Sequence, residues 1–158
     1  MRLPLPLLAA CGVLVGAACS PTLDWREVRP EGSDAVAWFP CRPTSHARIV
    51  ALAGEEVRLT LHACSAGGST WALAHADLRD PARVAQALLD LRASAAANLG
   101  AGSSRSVPGR VQGETPNGNA GRFEVLGQLP GGGRVREQIA VFAKGTRVYQ
   151  ATALGASI

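Results

Sequence analysis

The sequence predicts an α+β domain, with one main helix packed on a mostly antiparallel sheet of about six to eight strands. Two observations predict this class. Short apolar segments are separated by turns rich in glycine and proline, which is typical of strands. One stretch, at about residues 81–99, repeats its apolar side chains with helical spacing. The chain is expected to divide into a leader (1–18), a tether with a first short strand (19–33) and one domain (34–158).

Before the helix, alternating apolar side chains and flanking turns predict strands at residues 25–29, 34–39, 48–52, 55–63 and 69–76. The clearest is 55–63, where every second side chain from Val57 is apolar, as in a half-buried strand. Residues 65–68 are predicted to form a turn that joins the last two strands as a hairpin. A four-residue turn places His62 opposite Trp71. His62 and His75 are therefore predicted to lie well apart.

The helix has clear start and stop signals. Asp suits the N-cap and Pro the first helical position, so Asp80 and Pro81 open it, and Gly100 ends it. Its apolar stripe is predicted to pack on the sheet and consists of Val84, Leu88, Leu91, Ala95 and Leu99.

Three more strands are predicted after the helix, at residues 121–129, 134–143 and 146–153. Glycine-rich turns join them, which favours an antiparallel meander. Nothing after the last strand is predicted to cover the second face of the sheet. We therefore expect that face to stay open and a C-terminal helix to be missing or shortened.

The first residues have the pattern of a secretory signal peptide. Arg2 precedes an apolar stretch at 3–15 and a small-residue site at 16–18. The apolar stretch is shorter than the roughly 20 residues that a spanning helix needs. Cys19 follows the site directly, which resembles the lipobox of bacterial lipoproteins. That resemblance implies cleavage before Cys19 and a fatty-acyl (palmitate) anchor on it. Ser20 implies, in the same family, the outer membrane facing the periplasm.

Two alternatives to this anchor stay open. Gly16 stands where the lipobox prefers a large aliphatic residue, and residues 16–18 also fit cleavage by ordinary signal peptidase. Cys11 follows a better lipobox, but the apolar run before it is short for export. Cysteine parity favours acylation of Cys19, because it leaves an even pair of thiols in an oxidising compartment.

That remaining pair is Cys41 and Cys64. The envelope location predicts a disulfide between them, and two buried, unlinked thiols are the alternative. A metal site is not expected, because His46 and His62 would add too few ligands to the two sulfurs.

The charge distribution and the absence of known motifs argue against two classes of function, nucleic-acid binding and hydrolysis. The net charge is +4, but the arginines are scattered, so no basic stripe for nucleic acid is predicted. Ser65 and Ser69 lack a Gly-x-Ser-x-Gly elbow, and His75 and Asp77 are interpreted as a surface pair. No catalytic residue, cofactor or metal is predicted, and the chain is expected not to be an enzyme.

Several short sequences are distinctive together: DWREVRP at 24–30, WFPCRP at 38–43, LAG at 52–54, AHADL at 74–78 and TRVYQ at 146–150. With the lipobox-like start, they resemble a group of uncharacterised proteobacterial lipoproteins. More loosely, the chain resembles the PsbP-like α/β sandwich. PsbP-like proteins are mostly accessory or assembly factors, so this resemblance implies a non-enzymatic module that binds an envelope protein. The alternative is a carrier of a small apolar or lipid-like ligand.

Overall fold

The computed structural model describes residues 22–156. The expected signal peptide at 1–18 and the expected lipidation of Cys19 lie outside these residues. Within them, the fold is α+β as predicted: a seven-stranded antiparallel sheet carries one helix, and a separate two-stranded sheet packs beside it.

The strands of the small sheet are β1 and β2, and those of the large sheet follow in the order β3-β4-β5-β9-β8-β7-β6. Their bounds are β1 Arg26–Val28, β2 Ala37–Phe39, β3 Thr44–Leu52, β4 Glu55–Ala66, β5 Ser69–Asp77, β6 Arg105–Val107, β7 Gly121–Gln128, β8 Arg134–Lys144 and β9 Arg147–Gly155. A 3₁₀ turn, Pro81–Arg83, leads into the helix α1, Val84–Asn98.

The helix begins where the sequence predicts. The Asp80 side chain accepts a hydrogen bond from the backbone N–H of Ala82 at 2.9 Å, which caps the first turn. The helix packs on the first face of the sheet, where Leu88, Val141 and Val148 are fully buried. Val84, Leu88, Leu91 and Ala95 of the apolar stripe belong to the main core, as expected from their spacing, whereas Leu99 packs in a smaller cluster with Val125.

The end of the helix requires a glycine on the strand beneath it. A Cβ atom on Gly127 would lie 2.3 Å from the carbonyl oxygen of Leu99. Gln128 donates its backbone N–H to that same oxygen at 3.2 Å. The close approach fixes the helix against β7 and leaves no room for a side chain at position 127.

The β4–β5 hairpin differs from the prediction in its turn. Only Gly67 and Gly68 form the connection, both with positive φ (61° and 74°), and the strands continue to their edges. Two such residues suit a tight hairpin turn, because their backbone twist matches that of the strands. The register therefore shifts by two residues, and His75 lies opposite Thr60 instead of Arg58. The prediction that His62 and His75 lie well apart is wrong.

The second face of the sheet is also partly covered, contrary to expectation. The N-terminal segment, defined here as residues 22–41, crosses this face with β1 and β2 paired in antiparallel fashion. Phe39 of this segment is buried against Leu73 and Tyr149. The expected open face is thus limited to the part that the N-terminal segment leaves free. A missing or shortened C-terminal helix stays a prediction.

Candidate functional site

An apolar groove lies on the second face beside the N-terminal segment. Its cavity measures about 380 Å³. Residues 35–39 form one wall, and Val107, Val111 and Arg122 form the other. The floor consists of side chains from the central strands β5, β9 and β8, including Leu73, Ala140, Phe142, Ala151 and Ala153. We call this cavity the groove.

Small side chains create the groove. Ala140 lies directly opposite Ala151 in the register of β8 and β9, so two methyl groups meet where larger residues would fill the space. Trp71 and Ala153 are paired in the same way on β5 and β9. The Ala-rich composition of the strands thus leaves a depression bordered by aromatic rings.

The N-terminal segment is fixed to the sheet by covalent and polar contacts. Cys41 and Cys64 form a disulfide, with 6.0 Å between their Cα atoms, which confirms the predicted pairing. The Tyr149 hydroxyl donates a hydrogen bond to the carbonyl oxygen of Ser33. Arg147 forms an ion pair with Asp34. These contacts lie on both sides of residues 35–39 and so hold the wall of the groove at both of its ends.

Aromatic side chains border the groove on the side of the N-terminal segment. Trp25 packs edge-to-face on Trp71, with ring centroids 5.3 Å apart. Val36 and Trp38 line the groove while keeping 50% and 62% of their surface exposed. The rim is therefore apolar and open to solvent, an arrangement that is typical of binding surfaces.

Two histidines stack beneath the N-terminal segment. The imidazole rings of His62 and His75 are nearly parallel, with centroids 5.6 Å apart, and only 8% and 6% of the two residues is exposed. Burial lowers the pKa of both side chains, and the nearby His62 and Arg147 lower that of His75 further. The pair is neutral at pH 7 and packs as two flat rings.

Arginines concentrate at the end of the groove formed by β6, β7 and β8. Arg122 projects from β7 on the second face, between Val107 of β6 and Ala140 of β8. On the same face, Glu124 pairs with Arg105 at 2.7 Å and with Arg136 at 3.5 Å. Arg105 and Arg136 thus share the carboxylate of Glu124, and together with Arg122 this part of the second face carries an excess of two positive charges.

A buried acid lies on the first face of the sheet, away from the groove. Glu137 is 7% exposed, and its register places it between Val125 of β7 and Leu154 of β9. The Oε2 atom has no hydrogen-bond partner within residues 22–156. Burial raises the pKa of Glu137 to about 7. In the sequence, Glu137 stands at a core-facing position in the apolar alternation of β8. That pattern indicates a buried acid, which the sequence analysis did not predict.

The residues weighed for hydrolysis do not converge. Ser65 shares a hydrogen bond with Thr70 on the hairpin, at 3.1 Å. Asp77 accepts hydrogen bonds from Thr146 and Arg147 at the opposite end of β5.

Among residues 22–156, no three side chains of His, Cys, Asp or Glu come together as metal ligands. No helix in that part of the chain is long and apolar enough to cross a bilayer.

Comparisons of this chain with protein-family models, with curated proteins and with solved structures find no match.

Proposed function

We propose that this protein is a lipoprotein of the bacterial envelope that binds a small apolar ligand in the groove. The observation that carries the proposal is the groove itself. Its volume of about 380 Å³ falls in the range of ligand pockets, roughly 300–1,000 Å³, and its floor is alanine, leucine and phenylalanine. The disulfide between Cys41 and Cys64 fits an oxidising compartment, which the leader also predicts.

The proposed anchoring to the membrane of the bacterial envelope depends on Cys19. The lipobox resemblance implies that the membrane-extracted protein begins at Cys19 and carries two acyl chains on the thiol and one on the new amine. Several chains hold a protein firmly at a membrane. Intact-mass spectrometry measures leader cleavage, acylation and the disulfide together. A Cys19→Ala variant is expected to stay unacylated, and Cys11→Ala is the matched control. An unmodified full-length chain in the soluble fraction would contradict the proposed anchoring.

The proposed ligand site can be tested with a neutral apolar fluorophore such as N-phenyl-1-naphthylamine. Its emission is expected to rise on binding to the full chain in phospholipid nanodiscs, relative to empty nanodiscs. Ala151→Phe fills the floor of the groove and is expected to lower the affinity at least tenfold. Ala47→Phe, on the exposed part of β3, makes the same chemical change outside the groove and serves as control.

Equal binding by the wild type and the Ala151→Phe variant would contradict the proposed site. Circular dichroism and the thermal midpoint of both variants establish that they are folded, so that a lost signal reports on the groove.

A second candidate is an accessory module that binds an envelope protein, as the PsbP-like resemblance implies. The exposed side chains of Val36 and Trp38 support it, because apolar and aromatic residues are enriched at protein interfaces. A Trp38→Ser variant separates the two candidates. It is expected to weaken a protein interface more than it weakens the binding of a small ligand, because the ligand loses the wall contact at Trp38 but keeps the floor of the groove.

A further inference from the structure

This inference rests on the proposed ligand site and names the class of ligand. We propose that the groove binds medium-chain alkanoates, with the alkyl chain on the alanine floor and the carboxylate at Arg122. The chemistry follows from one charged side chain at the edge of an apolar cavity, a common way to orient a ligand with one polar end.

The position of Arg122 suits this role. Its side chain lines the groove, and it forms no ion pair with any residue in 22–156. The guanidinium lies against the bare backbone of Gly109, where a Cβ atom would come within 3.1 Å of Nη1. Gly109 has a φ of 123°, which a residue with a side chain rarely adopts. The absence of a side chain at Gly109 thus leaves the space that the guanidinium occupies.

The surrounding charge favours an anion. Glu124 is the acidic neighbour of Arg122 on this face, and Arg105 and Arg136 already neutralise it. The pKa of Glu124 is lowered, first by its hydrogen bond from Arg105 and then by both arginine charges. The carboxylate is therefore ionised and already paired with these two arginines. The excess positive charge is therefore free to attract an anionic group to Arg122.

A free alkanoate fits the floor better than a peptide does. β5, β9 and β8 are consecutive strands inside the sheet, so their backbone N–H and C=O groups are paired on both sides. A peptide backbone laid on these strands would find no strand edge to bond, and burying it without partners is costly. An alkyl chain has no polar group along its length and meets only methyl groups and rings.

The test compares alkanoates with matched alcohols by isothermal titration calorimetry. The full chain is held in phospholipid nanodiscs, and empty nanodiscs give the blank. For hexanoate, octanoate and decanoate, each added methylene is expected to tighten binding about fourfold while the chain still lies in the groove. Arg122→Gln is expected to weaken octanoate binding at least tenfold and to leave 1-octanol within about twofold. Arg58→Gln, an equal loss of charge on β4, is the control and is expected to bind octanoate as the wild type does.

The outcomes separate this inference from the proposed function. If octanoate and 1-octanol bind equally and Arg122→Gln changes neither, the groove binds apolar ligands but the assignment of the carboxylate is wrong. If neither ligand binds the wild type and the naphthylamine does not bind either, both the inference and the proposed site are wrong. An acetylated apolar tripeptide is compared in the same way. If it binds more tightly than octanoate and loses the same affinity in Arg122→Gln, the site binds protein C termini and the proposal of an alkanoate ligand is wrong.

Discussion

The free energy of unfolding of the double variant Cys41→Ala/Cys64→Ala is expected to be about 3 kcal/mol lower than that of the wild type. The disulfide closes a loop between positions that are 23 residues apart, and the loss of that constraint makes the unfolded chain more disordered. Denaturant titration of the full chain measures the effect. The expected result is a lower midpoint with a slope that is equal or steeper, because the unlinked unfolded chain exposes more surface.

Reductant supplies the matched control for this prediction. Dithiothreitol is expected to move the wild-type midpoint toward that of the double variant and to leave the variant unchanged. The wild type should also lose affinity for the naphthylamine on reduction, because residues 35–39 form a wall of the groove and Cys41 fixes the end of that segment. Identical midpoints in oxidised wild type and variant would show that the noncovalent contacts alone hold the segment.

The variant Glu137→Gln is expected to be more stable than the wild type at pH 8, by up to about 3 kcal/mol. Burial raises the pKa of Glu137 from its ordinary value of 4.5 to about 7. Above pH 7 the folded protein therefore holds a charged carboxylate among Val125 and Leu154, whereas the neutral amide avoids that charge. Denaturant titrations at pH 5 and pH 8 measure the difference.

The pH dependence identifies the cause. A raised pKa gives the folded state stability below pH 4.5, and this stability is lost as the pH rises through 7. The stability advantage of Glu137→Gln at pH 5 should therefore be less than a third of the advantage at pH 8. Glu56→Gln makes the same change on an exposed part of β4 and is expected to have no such effect. An advantage that is equal at both pH values would contradict a titrating acid at position 137.

The two buried histidines act in the opposite direction. Their pKa values are lowered, so the unfolded state takes up protons first as the pH falls below 6.5, and stability falls. Comparison of Glu137→Gln with the wild type at each pH cancels this contribution, because both proteins keep His62 and His75.

The helix and the long strands of the large sheet could be predicted because their signals are local, whereas the short strand β6 was not predicted. The cap at Asp80, the apolar stripe of α1 and the alternation in β8 each depend on residues close together in the chain. The disulfide could be inferred from the expected compartment and from cysteine parity. The register of the β4–β5 hairpin could not, because it depends on whether two or four residues form the turn. Two consecutive glycines were the available signal for the shorter turn.

The groove could not be predicted, because it depends on contacts between distant parts of the chain. Residues 35–39 reach it from the N-terminal segment, Ala151 from the last strand and Arg122 from β7. The expected tether, residues 19–33, contains Trp25, and its packing on Trp71 was not predicted. Trp25, Trp38 and Phe39 are large residues in a short segment, and that concentration was the available sign that the segment packs on the sheet.

The disulfide also determines how the protein responds to tension. A pull on the chain ahead of residue 22 would first lift β1 and β2 off the large sheet, because their ladder bonds join them to each other and not to that sheet. The covalent link at Cys41 would then stop the extension, since force beyond that point passes to the long strand β4. Residues 22–40 would span at most about 65 Å when fully extended. The same movement would remove one wall of the groove, so that stretching would also open the groove.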